Sequence, residues 1–169
     1  MCRQRGMVLL LSLLLTMLLG LLGLSSLHSA LLQERMSGSL LMSLQLLERA
    51  EATLRHGEAQ VRAGLELVPC RYCQPPPEVG RVQVPGIYHG VGRRSGMVWS
   101  ASDSGLFMIQ RLGVSTRAAH MPDEKPVTLY RITAVARQGS ARTVLESTLA
   151  LPLAADGASA QRILWRQIL

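Results

Sequence analysis

The sequence predicts an α+β protein: one long N-terminal helix, its first half able to cross a membrane, packed on a small antiparallel sheet. Three observations predict it. Residues 7–32 carry no formal charge and are apolar except for Gly, Ser, Thr and His28. Residues 33–68 place apolar side chains among charged ones at three- and four-residue spacing. From residue 69 onward, proline and glycine punctuate short runs rich in Val, Ile, Thr and Tyr, the residues that suit strands.

The opening stretch is "RQRGMVLLLSLLLTMLLGLLGLSS". At about 1.5 Å rise per residue, the run 7–32 reaches roughly 40 Å, more than the roughly 30 Å hydrocarbon core of a bilayer. A secretory signal has an apolar region of only about 7–15 residues before a small-x-small cleavage site. The late candidate His28-Ser29-Ala30 puts an imidazole where a small side chain is wanted. The segment is therefore expected to be retained. Arg3 and Arg5 precede it, and the positive-inside rule places the N-terminus in the cytoplasm and the rest of the chain across the membrane.

The amphipathic half is expected over residues 33–68. Its apolar stripe is read as Leu40, Leu44, Leu47, Leu54, Val61, Leu65 and Val68. Glu51–Arg55 and Glu58–Arg62 stand at i, i+4 in the favourable order, each worth only about 0.2–0.5 kcal/mol, so the stripe must hold the helix to its partner surface. Gly38 is placed to act as a joint between the two halves, and Pro69 should stop the helix.

Gly6 after a short basic leader, followed directly by an apolar run, resembles the cleavage site of type IV prepilins. The later stretch "LLQERMSGSLLMSLQLLERAEATLRHGE" is similar to the amino-terminal signature of PilX-type minor pilins. Its carriers here are Glu34, Arg35, Met36 and Gly38, then Ala50, Glu51, Ala52, Leu54, Arg55, Gly57 and Glu58. The resemblance implies a leader, residues 1–6, cut by a prepilin peptidase after Gly6, and methylation of the new terminus at Met7. It implies a pilin-like fold, an inner-membrane single-pass location with a periplasmic head, and association with other minor pilins and a major pilin. Most pilins carry Glu at the fifth mature position, where it meets a neighbour's terminal amine. Here that position is Leu11, as suits a tip-proximal subunit that initiates assembly, and an unused carboxylate in lipid would cost several kcal/mol. Met7 likewise replaces the family's usual Phe. A minor pseudopilin of a type II secretion system shares this helix logic, and a membrane-anchored periplasmic binding domain that never polymerises is the rival from another class.

In the head, residues 69–169, "RVQVPG", "GMVWSA" and "GLFMIQRLG" read as strands, with Asp103-Ser104-Gly105 turning between the last two. The clearest hairpin is "VTLYRITAVARQGSARTVLESTLALPL", turning at Gln138-Gly139-Ser140. Tyr130, Ile132, Ala134 and Ala136 share one face of its first strand; Thr143, Leu145, Leu149 and Leu151 share one face of the second. The hairpin is also similar to the final sheet of PilX-type pilins. "RILWRQIL" closes the chain as a pinned last strand, with an exposed Trp165 contact surface as the alternative.

Cys70-x-x-Cys73 admits a local disulfide or plain loop, a metal site, or a redox pair. The first ranks ahead, because His56, His89 and His120 lack ligand spacing and no βαβ setting surrounds the pair. Cys2 falls in the leader. No P-loop, G-x-S-x-G or H-E-x-x-H motif occurs, and Asp123-Glu124 reads as a solvated turn, so no enzyme, cofactor, metal or small-molecule substrate is expected. The formal charge is +7. A solvated basic face ranks ahead of nucleic-acid binding, although Arg93-Arg94 between Tyr88 and Trp99 has the makings of a phosphate and stacking site for DNA.

Overall fold

The computed structural model describes residues 4–121, 125–153 and 159–168. It shows one helix, α1 (Gln4–Arg62), and six strands: β1 (Gly86–Ile87), β2 (Val98–Ser102), β3 (Gly105–Ser115), β4 (Val127–Gln138), β5 (Ala141–Pro152) and β6 (Gln161–Gln167). The strands form one antiparallel sheet in sequence order. The expected α+β, pilin-like arrangement of a long helix and an antiparallel sheet is what the chain adopts. Two compact units divide between Met42 and Ser43.

In the first unit the most apolar 18-residue window of the helix has none of its residues buried. Gly38 does not interrupt it, since every residue from Gln4 to Arg62 is helical. One glycine costs only about 1 kcal/mol against Ala, and the good helix formers beyond Ser37 and Ser39 (Glu34, Arg35 and Met36 before, Leu40, Leu41 and Met42 after) carry the helix through. The expected joint is therefore absent from the helix geometry.

In the second unit the rest of α1 lies on the sheet. The buried helix face is Leu46, Ala50, Thr53, Leu54, Gly57, Glu58 and Val61. Leu54 and Val61 belong to the expected stripe, and Leu47 packs at its margin. Leu40, Leu44, Leu65 and Val68 are exposed instead. Position decides the difference: Leu40 and Leu44 precede the first buried helix residue, Leu46, and Leu65 and Val68 follow the last helical residue, Arg62. Within the seated turns the approach is close, since a Cβ on Gly57 would lie 2.8 Å from Ile132 Cγ2 and 3.0 Å from Phe107 Cδ2.

The helix ends at Arg62, earlier than the expected residue 68. Gly64 takes φ +86°, its N–H donates to the Val61 carbonyl at 3.1 Å, and the Leu65 N–H donates to the Gln60 carbonyl at 3.2 Å. These two bonds make a Schellman cap, which only a left-handed residue completes without strain. Pro69 comes too late to be the stop; it forms a parallel bridge to Arg111.

Both faces of the central strands are covered. Towards the helix, Phe107, Ile109, Tyr130, Ile132, Ala134, Ala136, Leu145 and Leu149 join Leu46, Ala50, Leu54 and Val61. On the reverse face, Leu106, Met108, Val135 and Val144 are closed over by Val79, Val82 and Trp99. That second cover explains a correction. "RVQVPG" is not a strand but an irregular segment whose Val82 plugs the outer core, and only Gly86 and Ile87 pair, against Trp99 and Val98. β2 likewise begins at Val98 rather than Gly96. The β4–β5 hairpin turns at Gly139-Ser140, with Gln138 opposite Ala141 and Gly139 at φ +58°. Asp103 and Ser104 turn β2 into β3. β6 is pinned along β5, as expected, and Trp165 on it is 44% exposed.

Candidate membrane and assembly element

The strongest candidate for function is the free part of α1. Side chains from Met7 through Leu32 point outward over the whole circumference of the helix, Leu11 among them. A helix apolar all round buries itself in lipid or among other helices. Three of its five hydroxyls bond within the helix: Ser12 donates to the Leu9 carbonyl and Thr16 to the Leu13 carbonyl, both at 2.9 Å, and Ser29 donates to the Ser25 carbonyl at 3.1 Å. Internal satisfaction of this kind is the requirement for a segment in hydrocarbon. Among the described residues there is thus one helix long and apolar enough to span a membrane, with mean hydropathy 2.6 in its best window.

Gly6 lies in α1 just before this run, and Met7 is exposed. Glu34, Arg35, Met36 and Gly38 sit in the same free part of the helix, all exposed. Glu51 lies in the other unit, where it accepts from Arg55 Nη2 at 2.8 Å on the surface. The signature residues are therefore divided between the two units rather than gathered into one site. Cys2 and Asp123-Glu124 lie outside the described residues.

The head is held by buried carboxylates that the apolar pattern concealed. Glu58, on the buried face of α1, takes a bidentate fork from Arg162 of β6, with Nε–Oε1 at 2.7 Å and Nη2–Oε2 at 2.8 Å. Arg62, its expected partner, stands farther off at 3.5 Å. The hydrogen bonds from Arg162 to Glu58 hold the guanidinium above its ordinary value, outweighing the opposing effect of burial, and the Glu58 and Glu51 charges add to the rise. The helical period did mark Glu58: it falls four residues after Leu54 and three before Val61. Glu146, buried on β5, accepts from Arg166 Nε at 3.0 Å and pairs with Arg131 Nε at 3.4 Å. Glu78 is fully buried, and its carboxylate accepts from the Ser95 N–H at 3.0 Å, from Trp99 Nε1 at 3.3 Å and from the Ser95 hydroxyl.

Much of the basic charge is spent in the same way. Arg111 donates to the Leu67 carbonyl at 3.1 Å, Arg131 to that of Cys73, and Arg137 to those of Gly80 and Val82 at 3.3 Å. Gln110 Nε2 donates to the Tyr72 carbonyl at 2.8 Å and the Gln74 carbonyl at 3.1 Å. Strand side chains thus supply the hydrogen bonds that the irregular segment 67–82 cannot make for itself. Cys70 and Cys73 are disulfide-bonded within that segment, their Cα atoms 5.4 Å apart.

Trp99 is fully buried against Glu78, so of the two rings flanking Arg93-Arg94 in the sequence only Tyr88, which lies under Arg81, is within reach of a base. Among the described residues no group of three or more His, Cys, Asp or Glu is placed to hold a metal ion. No family model, curated protein or solved structure matches this chain.

Proposed function

We propose that this chain is a PilX-type minor pilin of a type IV pilus, helping to initiate assembly near the tip by association with other pilins. The observation that carries the reading is the free, wholly apolar stretch of a helix whose remaining turns are seated on an antiparallel sheet. Such a helix can rest first in the inner membrane and later against neighbouring subunits. Its burial is worth about 25 cal/mol per Å2 against water. Lipid is equally apolar, however, so extraction must be driven by machinery outside the chain. The disulfide at Cys70–Cys73 suits a head on the oxidising side of the membrane, and Leu11 suits a subunit with no amine above it to neutralise.

Mass measurement of the purified N-terminus tests the assignment. A mature chain beginning with N-methyl-Met7 is expected, and Gly6→Val should leave the leader attached. An intact Met1 start in the wild type would favour a permanently anchored binding domain. A processed chain that co-assembles only with secretion pseudopilins would transfer it to the type II secretion machinery.

A further inference from the structure

Residues 79–98 cover the outer core with one face and present an unusual surface with the other. No Asp or Glu occurs from residue 79 to residue 102, while Arg81, Arg93, Arg94 and His89 do. The adjoining Glu78 is turned inward and consumed by Ser95 and Trp99. Among these residues four aliphatic side chains stand in solvent: Val84 is 70% exposed, Ile87 46%, Val91 89% and Val98 59%. Apolar side chains grouped on a surface of one charge mark an interaction site.

The segment is also ordered in advance. Arg81 Nη1 donates to the Val91 carbonyl at 2.6 Å and its guanidinium lies 5.8 Å over the Tyr88 ring, while Arg137 fixes the carbonyls of Gly80 and Val82. Ordering beforehand removes an entropic cost from binding. Between Arg81, Gln83, Val84, Ile87 and Tyr88 lies a cleft of about 340 Å3, at the small end of the roughly 300–1,000 Å3 of ligand pockets. Beside it runs β1, an edge strand of the sheet.

We propose that this face docks an extended, acidic segment of a partner protein. The partner's backbone would add to the β1 edge, an apolar side chain would enter the cleft, and its carboxylates would meet Arg93 and Arg94. A bilayer is less well matched: its interface favours Trp and Tyr, yet Trp99 is buried and Tyr88 is covered by Arg81. DNA would find phosphate contacts but no ring save Tyr88, already under Arg81, and no use for four aliphatic side chains. The proposal rests on the head alone and holds whether or not the chain enters a filament.

The test uses the full chain in nanodiscs of zwitterionic lipid and a fluorescent peptide alternating Glu with Leu, Ile and Val. Saturable binding is expected, weakening as salt rises, with none for the same peptide carrying Lys in place of Glu. Arg93→Gln with Arg94→Gln should weaken binding about tenfold, and Val84→Ser with Val91→Ser should weaken it without changing its salt dependence. Both pairs are exposed, and the circular dichroism of each variant reports whether the fold is kept; the serine pair decides if the glutamine pair unfolds. Failure of the acidic peptide to saturate, equal binding of the lysine peptide, or binding indifferent to both variant pairs would overturn the proposal. So would arginine-dependent capture of duplex DNA or anionic vesicles in preference to the peptide.

Discussion

Gly57 is subject to two opposed effects. A mid-helix glycine costs about 1 kcal/mol relative to alanine, so Gly57→Ala ought to stabilise by propensity alone. Its Cβ, however, would be pressed within 2.8 Å of Ile132 Cγ2. Ile132 is β-branched and fully buried on a central strand, so it cannot swing aside. Overpacking of this sort costs roughly 1–3 kcal/mol and should win. Gly57→Ala is therefore expected to lower head stability by about 1 kcal/mol in urea unfolding, whereas Gly38→Ala, with no atom within 4 Å of the added carbon, should leave the head's midpoint unchanged. Glu58 makes a second residue-scale case. Breaking a buried ion pair costs about 3–5 kcal/mol, but Arg162 is partly exposed and can turn to water once abandoned, so Glu58→Gln should cost nearer 2 kcal/mol. The sign of the pH effect follows from the raised Arg162 value: the pair's contribution is complete below the ordinary guanidinium value and fades only above the raised one. Its stabilisation should thus persist through mildly alkaline pH, as unfolding of wild type and Glu58→Gln in parallel would show.

At the scale of elements, the helix end is set by geometry rather than composition. Replacing Gly64 by Ala forces a Cβ into φ +86°, and the loss should be about 1 kcal/mol, with the last turn fraying in amide exchange. This same end shows what could be read beforehand. The apolar length, the long β4–β5 hairpin and its turn, and the Asp103-Ser104 turn were legible because period and turn chemistry are local. The helix stop was not, since Pro69 is a stronger signal in sequence than Gly64, and only the two cap hydrogen bonds reveal which one acts. The helix stripe differs from its sequence pattern for a related reason: the pattern runs from Leu40 to Val68, while the sheet takes up only the turns from Leu46 to Val61, where Ala50 and Gly57 permit close approach. The strand at "RVQVPG" failed because alternating valines suit a strand and an irregular core cover equally well. The pairings of Glu58, Glu78 and Glu146 are not legible in the sequence, because Arg162, Trp99, Arg131 and Arg166 lie 15 to 104 residues from them.

On the scale of the whole molecule, the division between Met42 and Ser43 makes a prediction about independence. The first buried helix residue of the head is Leu46, followed by Ala50, Leu54 and Val61. A chain beginning at Ser43 keeps all of them, together with both cores, the disulfide and the Glu58–Arg162 fork. That fragment should be soluble without detergent, and its urea midpoint should match that of the head in the full chain. Beginning instead at Ala63 removes Leu46, Leu54, Val61 and Glu58 together, strips the cover from one face of the sheet and leaves Arg162 without its carboxylate. At roughly 2–5 kcal/mol for each large core side chain lost, against a total stability of about 5–15 kcal/mol, that shorter fragment should not fold. Soluble, cooperative unfolding of the chain from Ala63 would mean that the sheet does not need the helix, and would remove the reason for one helix to serve two environments.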